Sequence, residues 1–250
     1  KKKLNFDINN YPKFKDKIIY LVIDREPDDL INPLNENIQY KRINSIKRIE
    51  LSYDFMMSEI KKLSDNDLII LSDNDEIPNL DSTQFKDSNS DIYIFKQLFF
   101  YYKFNLLYDR MYWFGSKACT KKKLKSLSWL RNLKNKKYPF WRMDTFFSKT
   151  KNSSLKIIND GGWHFTNVMS AENLYTKMTN FGHHDEFELS ELSVEDLKIK
   201  INQGLVFYDH FAGQEDKNKW EFNYKLKKIS DNLLPDSLIK DKIKLKEWFN

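Results

Sequence analysis

The sequence predicts an α/β fold, and three segments in the first third of the chain are the basis of that prediction. Residues 17–23 form a continuous apolar run, which is typical of a strand buried on both faces. Residues 37–63 carry apolar side chains three and four positions apart, the pattern of an amphipathic helix. Residues 67–71 form a second apolar run. Strand, helix and strand in this order predict a βαβ unit with parallel strands and a right-handed crossover.

The rest of the chain predicts a mixed arrangement of strands and helices within a single domain of residues 1–250. Strands are expected at residues 91–106 (one or two), 111–118, 155–158 and 162–166. Helices are expected at residues 121–133, 171–180 and 194–203, where Ser170 and Ser193 are suited to cap the last two and Gly204 to end the third. Leu and Ile at helical spacing predict a helical extension over residues 205–250 that packs on the domain.

Composition excludes several classes of protein. Aromatic residues make up 15% and hydrophobic residues 40% of the 250 residues, too much apolar area for a disordered or low-complexity chain. The net charge is +6, but only six of the 42 basic residues are arginine. Lysine lacks the fork geometry that favours specific phosphate recognition, so no nucleic-acid partner is expected. A basic RNA-binding protein is the alternative that composition alone allows.

Cysteine usage and hydropathy indicate a compartment. The single cysteine, Cys119, excludes an internal disulfide and a cysteine-based metal cluster. No apolar run reaches the roughly 18 to 20 residues that span a bilayer, so no transmembrane segment is predicted. A cytoplasmic protein, at most peripheral to a membrane, is expected. The chain begins with three lysines instead of Met, which leaves room for a targeting segment upstream.

An acidic triplet, Asp73, Asn74 and Asp75, follows the second apolar run. Open α/β sheets bind ligands beyond the carboxyl ends of their strands, which is where the triplet is expected. Two carboxylates this close repel each other unless a cation lies between them, so the pattern predicts a Mn²⁺ or Mg²⁺ site that also holds a diphosphate. The alternative is a solvated acidic turn that ends at Pro78. Residues 65–67 repeat the Asp-x-Asp pattern before the strand, where a turn is the better interpretation.

The chain has no glycine-rich phosphate loop, so a bound nucleotide would depend on the metal and the carboxylates, which indicates a nucleotide-sugar enzyme. Residues 67–78 resemble the metal-binding signature of family 17 glycosyltransferases, the β-1,4-mannosyl-glycoprotein β-1,4-N-acetylglucosaminyltransferase type. Further segments resemble the same family in the same order: residues 99–105, 113–115 and 162–166, then Lys177 and residues 181–186. Asp-Glu-Ile-Pro at 75–78 and Gly-Trp-His-Phe at 162–165 are the most specific of these.

The resemblance implies a GT-A fold, in which a Rossmann-like nucleotide-binding half is fused to a mixed-sheet acceptor half. It implies inverting transfer, dependence on Mn²⁺ (or Mg²⁺), N-acetylglucosamine from UDP-GlcNAc as the donated sugar, and a glycan hydroxyl as acceptor. Family members usually carry an earlier strand and a Glu-containing segment before the region that matches Lys1, so the domain is expected to lack that first strand. A non-catalytic glycan- or nucleotide-binding remnant of the same fold is the alternative reading.

The resemblance also assigns metal and donor residues. The metal ligands are expected to be Asp73, Asp75 and His164. The donor is expected to contact Asp73, Asn74, Asp75, Gly115, Trp163 and Lys177. Glu76 is expected either to support the ligands or to be a turn acid. Without the resemblance, His164 would be a hydrogen-bonded core histidine and Trp163 a core aromatic residue.

An inverting transfer needs a group that takes the proton of the acceptor hydroxyl. The candidates are Asp144, which lies between Gly115 and His164 in the chain, and the competing pair Asp185 and Glu186. A salt bridge to Arg142 or to a neighbouring lysine is the alternative role for Asp144. Besides Lys177, the candidate cations for the diphosphate are Arg142 and Arg110.

Overall fold

Two mixed β-sheets form the centre of the molecule. The computed structural model describes residues 6–31, 38–139, 141–180, 187–188, 190–213 and 216–250. In this part of the chain the helices are α1 (Ile38–Ile60), α2 (Thr83–Lys86), α3 (Leu127–Asn132), α4 (Met143–Phe147), α5 (Ala171–Asn180), α6 (Val194–Gln203) and α7 (Asp236–Lys240). The strands are β1 (Leu68–Leu71), β2 (Glu76–Pro78), β3 (Ile92–Phe95), β4 (Leu98–Tyr101), β5 (Leu106–Leu107), β6 (Lys117–Thr120), β7 (Lys156–Ile158), β8 (Gly162–Thr166), β9 (Leu205–Val206), β10 (Tyr224–Lys225) and β11 (Lys227–Lys228).

The first sheet has the strand order β1-β6-β3-β7, and the second has the order β11-β5-β4-β8-β2. Each sheet contains one parallel pair, β3 with β7 and β4 with β8, among otherwise antiparallel neighbours. The chain therefore belongs to the mixed α/β class, as expected. The loop that leaves β1 passes from the edge of the first sheet into β2 at the edge of the second.

The predicted βαβ unit is wrong. Residues 18–23 form neither helix nor strand, and the side chain of Ile19 is 69% exposed. The residues after this run are held along α1 instead, by the ion pair of Glu26 with Arg48 and by the hydrogen bonds of Asn44 to the backbone of Ile31. Strand β1 pairs with β6 in antiparallel register, and the described residues supply no second neighbour for it.

Several local predictions are confirmed. Helices α1, α5 and α6 and strands β1, β3, β4, β7 and β8 lie where the sequence patterns place them. Ser193 caps α6 in a capping box with Asp196, and Gly204 ends that helix in a left-handed conformation with φ 62°. No described helix is both long enough and apolar enough to cross a membrane.

Three predicted elements differ in extent. The strand predicted at 111–118 begins only at Lys117, and the residues before it contribute one isolated bridge, between Trp113 and Gln97. The basic helix predicted at 121–133 is divided into a 3-10 turn at Lys121–Lys123 and α3. In the described part of residues 205–250, α7 is the only α-helix, and short strands and 3-10 turns make up the other regular structure.

The two faces of the second sheet have different roles. On one face Phe100 and Phe165 pack with Leu234 from the C-terminal segment. On the other, Phe99 and Tyr101 pack with apolar residues of α5 and α6. Because side chains alternate along a strand, His164 of β8 lies on the same face as Phe99, which is its partner in the parallel register.

Candidate functional site

A cavity of about 500 Å³ opens on the face of the second sheet that carries His164. Its charged end is defined by Asp73, Asp75, Arg131, His164 and Lys177. Its aromatic end is defined by Tyr101, Tyr208, His210 and Trp220, with Lys219 beside them. Four residues predicted for the metal or the donor, Asp73, Asp75, His164 and Lys177, therefore share one cavity.

Beneath the charged end lies Glu76, whose side chain is fully buried. Its Oε1 accepts hydrogen bonds from Nε1 of Trp113 at 2.7 Å and from Arg131 at 3.4 Å. Its Oε2 accepts from the backbone N–H of Asp73 at 3.1 Å and from Oγ of Ser116 at 3.3 Å. Both carboxylate oxygens are thus occupied by protein donors. Glu76 supports the acidic turn, as one of the two sequence readings proposed.

Gly115 makes room for this carboxylate. A Cβ added at Gly115 would lie 1.6 Å from Oε1 of Glu76 and 2.3 Å from Nε1 of Trp113. The glycine therefore lies beside Glu76 and is not among the residues that line the cavity. The structure shows a packing role for Gly115, and the predicted contact with the donor stays a prediction.

Asp73 is paired within the protein. Its Oδ2 accepts a hydrogen bond from Arg131 at 2.6 Å. Arg131 is held in turn by Lys117, whose buried Nζ donates to the carbonyl of Arg131 at 2.7 Å and to that of Leu133 at 2.6 Å, at the end of α3. Burial lowers the pKa of Lys117 to about 8. One guanidinium thus contacts Asp73 and Glu76 together.

Asp75 and His164 lie side by side without a hydrogen bond between them. Nδ1 of His164 is 3.6 Å from Oδ1 of Asp75, and this buried nitrogen has no hydrogen-bond partner among the described residues. The imidazole stacks on the indole of Trp113, with ring centroids 4.6 Å apart. Burial lowers the pKa of His164 to about 4 and raises the pKa of Asp75. At neutral pH His164 is therefore uncharged and presents a lone pair.

This pair fits a divalent metal ion. Asp75, Glu76 and His164 each offer a ligand atom, and these atoms lie within 4.8 Å of one another. Because the oxygens of Glu76 already accept four hydrogen bonds, the ligand atoms that are free in this cluster belong to Asp75 and His164. A carboxylate oxygen and a neutral imidazole nitrogen are ligands that suit Mn²⁺. The predicted third ligand, Asp73, lies in the same cavity but is engaged by Arg131.

Lys177 reaches the cavity from α5. Its Nζ donates a hydrogen bond to Oδ1 of Asn167 at 2.9 Å. Burial lowers the pKa of Lys177, and the nearby carboxylate of Asp75 partly offsets this decrease. Asn167 is itself buried and follows β8 directly, with φ 56°. A half-buried cation near Asp75 is well placed to contact an anionic ligand.

Two predicted donor contacts point elsewhere. Trp163 lies on the opposite face of the second sheet, where its Nε1 donates to the carbonyl of Leu233 at 2.7 Å. Alternation along β8 requires this, because His164 faces the cavity. Asn74 lines a separate groove with Phe165 and Trp248, and Asp75 borders both spaces.

The structure does not bring Asp144 to the cavity. Its carboxylate accepts two hydrogen bonds from Arg142, at 2.8 and 2.9 Å, and one from Lys151 at 2.6 Å. These side-chain hydrogen bonds lower the pKa of Asp144 to about 2. Such a carboxylate is a poor proton acceptor, and the salt-bridge alternative describes it. Arg110 stacks on the ring of Phe222 outside the cavity.

Asp185 and Glu186 lie outside the described residues. Other cavity residues were missed by sequence reasoning, chiefly Arg131 and His210. Arg131 falls in the segment 121–133, for which the sequence predicts only a basic helix, although a guanidinium among so many lysines is a usable signal. His210 lies in a segment with no local pattern, and only the rarity of histidine, four in the chain, marks it.

Comparison of the chain with protein-family models, with curated proteins and with solved structures finds no match. The geometry of the cavity and the motifs that surround it are therefore the grounds for a functional proposal. The two most specific motif segments are adjacent in space, because Glu76 of β2 is paired with His164 of β8.

We predict that Gly115→Ala destabilises the fold by at least about 2 kcal/mol, because the methyl group displaces the buried carboxylate of Glu76 from its donors. Urea unfolding measures the change. Gly213→Ala is the matched control, since a Cβ there meets no atom of the described residues within 4 Å, and its effect should stay within about 0.5 kcal/mol. Equal effects of the two substitutions would contradict the packing role of Gly115.

We also predict a loss of stability in acid between pH 6.5 and 4. Burial lowers the pKa values of His164 and His210 to about 4, so the unfolded chain takes up protons first as the pH falls. The contribution of each histidine to the free energy of unfolding is fully present above pH 6.5. It is lost as the pH falls through 4, and it amounts to at most about 3 kcal/mol for each histidine. Urea unfolding in EDTA should show a shallower pH dependence for His164→Asn and for His210→Asn. An unchanged slope in both variants would refute this.

Proposed function

We propose that this protein is a metal-dependent inverting glycosyltransferase of the GT-A type, which transfers N-acetylglucosamine from UDP-GlcNAc to a glycan hydroxyl. The observation that carries the proposal is the pairing of β2 with β8, which sets the carboxylate of Asp75 3.6 Å from an unpartnered Nδ1 of His164. Both residues belong to the segments that most resemble family 17 glycosyltransferases. A cavity of about 500 Å³ is also a suitable size for a nucleotide sugar.

The charges of the cavity suit a metal-bound diphosphate. Asp75 and His164 would hold Mn²⁺ or Mg²⁺, which supplies positive charge against the charge that develops on the leaving diphosphate. Lys177, half-buried near Asp75, contributes a second cation on the protein side. Arg131 neutralises Asp73 and touches Glu76, so it keeps the acidic turn in place before any ligand binds.

The transfer itself is a single displacement. The acceptor oxygen attacks the anomeric carbon from the side opposite the diphosphate, and configuration inverts. With the diphosphate at the charged end, the acceptor belongs at the aromatic end, where the faces of Tyr208 and Trp220 are suited to stack on a sugar ring.

One observation favours a second candidate, a non-catalytic glycan- or nucleotide-binding protein with the same cleft. Among the described residues that line the cavity, Asp73 and Asp75 are the only carboxylates, and both lie at the charged end. No described carboxylate thus faces the position of the acceptor. Such a binder would be stabilised by a nucleotide sugar and would release no UDP from it.

We predict that Mn²⁺ with UDP-GlcNAc raises the Tm of the wild type and leaves that of Asp75→Ala unchanged. A ligand at 100 times its Kd stabilises a protein by about 2.7 kcal/mol, which for a chain of this size is a shift of several degrees. Asp65→Ala is the control, because Asp65 is the exposed first acid of the other Asp-x-Asp triplet. It should behave as the wild type.

Thermal unfolding with a panel of nucleotide sugars, in Mn²⁺ and in EDTA, checks this prediction and identifies the donor. An equal shift in Asp75→Ala, or in EDTA, would contradict the metal-dependent site. Absence of a shift with any nucleotide sugar in the wild type would contradict the proposed function.

A further inference from the structure

His210 lies at the aromatic end of the cavity. The other titratable residues that define this end are Tyr101, Tyr208 and the neighbouring Lys219. An ammonium group donates and does not accept, and burial raises the pKa of Tyr101 well above its usual value. Of the described residues at this end, His210 is therefore the one that can take a proton at neutral pH.

The surroundings of His210 hold its ring in place. Its ring centroid is 4.2 Å from that of Tyr208, 5.3 Å from that of Tyr108 and 5.6 Å from that of Tyr101. Its Nε2 shares a hydrogen bond with the hydroxyl of Tyr101. One ring nitrogen is thus bound within the protein, which fixes the orientation of the other.

Few charges act on His210. Burial lowers its pKa to about 4, and the remaining influences are Asp209 from its own segment, Lys219 from the 3-10 turn at Lys217–Glu221, and His164 from β8. The ring is therefore neutral at physiological pH, and when Nε2 carries the proton and donates it to the Tyr101 hydroxyl, Nδ1 has the free electron pair.

The rings of His210 and His164 both pack against the ring of Phe99. The Phe99 ring centroid is 5.0 Å from that of His164 and 5.4 Å from that of His210. A ligand whose diphosphate occupies the charged end would present its sugar between the two histidines. An inverting displacement needs its base on the side away from the leaving group, which is the side of His210.

We propose that His210 is the general base of the transfer and that the acceptor is a pyranose hydroxyl bound against Tyr208 and Trp220. This inference rests on the proposed function. Nδ1 takes the hydroxyl proton as the acceptor oxygen bonds to the anomeric carbon, in the tautomer in which Nε2–H donates to the hydroxyl oxygen of Tyr101. The bond from that carbon to the diphosphate oxygen breaks at the same time, and its electron pair leaves with UDP. Tyr101 is a positioning residue, since it holds the ring through Nε2.

The test measures Mn²⁺-dependent UDP release from UDP-GlcNAc, with free mannose, free N-acetylglucosamine and water as acceptors. His210→Asn should lower kcat by about 10²- to 10⁴-fold. The stabilisation by Mn²⁺ with UDP should be retained, because His210 lies outside the charged end. The residual rate of His210→Asn should show no acid limb in its kcat–pH profile. Added imidazole should restore part of the rate of His210→Ala. Tyr101→Phe should lose less than His210→Asn.

Each other result overturns the inference in a distinct way. A folded His210→Asn with the kcat of the wild type, or one that loses stabilisation by Mn²⁺ with UDP, would make His210 a lining residue of the donor site. Stabilisation of the wild type without UDP release would favour the non-catalytic binder and would leave no transfer for a base to assist. Neither stabilisation nor release in the wild type would refute the proposed function and this inference together.

Discussion

The buried carboxylate of Glu76 is the interaction on which the rest of the site depends. A carboxylate removed from water is costly unless donors replace the water, and here four donors do so. They come from the acidic turn itself, from Trp113, from Ser116 and from Arg131, which are separate parts of the chain. Glu76 therefore ties the end of β1, the entry to β6 and helix α3 to the edge of the second sheet. The space for it exists because residue 115 has no side chain.

The arrangement of the charged end follows from this carboxylate. Trp113 donates to Glu76, and its fixed indole is the surface on which His164 stacks. Arg131 contacts Glu76 and pairs with Asp73, so two of the three acids of the turn are neutralised by the protein. Asp75 and His164 are left with unused ligand atoms in a buried place. An unpartnered buried nitrogen costs free energy in the ligand-free protein, and a bound cation would offset that cost.

The sequence predicts the parts of this arrangement that depend on local pattern. The acidic turn at the end of β1, strand β8 with its histidine, and helices α5 and α6 follow from apolar runs, alternation and caps. The partners of those elements depend on contacts distant in sequence. Residues 18–23 have the composition of a buried strand, yet ion pairs and hydrogen bonds hold the residues that follow along α1, and β1 pairs with β6 instead. The position of Asp144 in the chain suits a catalytic base, but its carboxylate lies outside the cavity. There it accepts hydrogen bonds from Arg142 and Lys151. His210 is brought to the cavity by tertiary packing alone, so no motif could indicate it.

In the proposed site, Asp75 and His164 would hold a divalent cation beside the diphosphate of the donor. A crystal structure of the protein grown with Mn²⁺ and UDP tests it most directly, since anomalous scattering locates manganese without reference to the protein map. We predict one anomalous peak bonded to Oδ1 of Asp75 and to Nδ1 of His164, with the diphosphate on its other side near Lys177. UDP bound without a peak at these atoms, or manganese bound only elsewhere, would contradict the account.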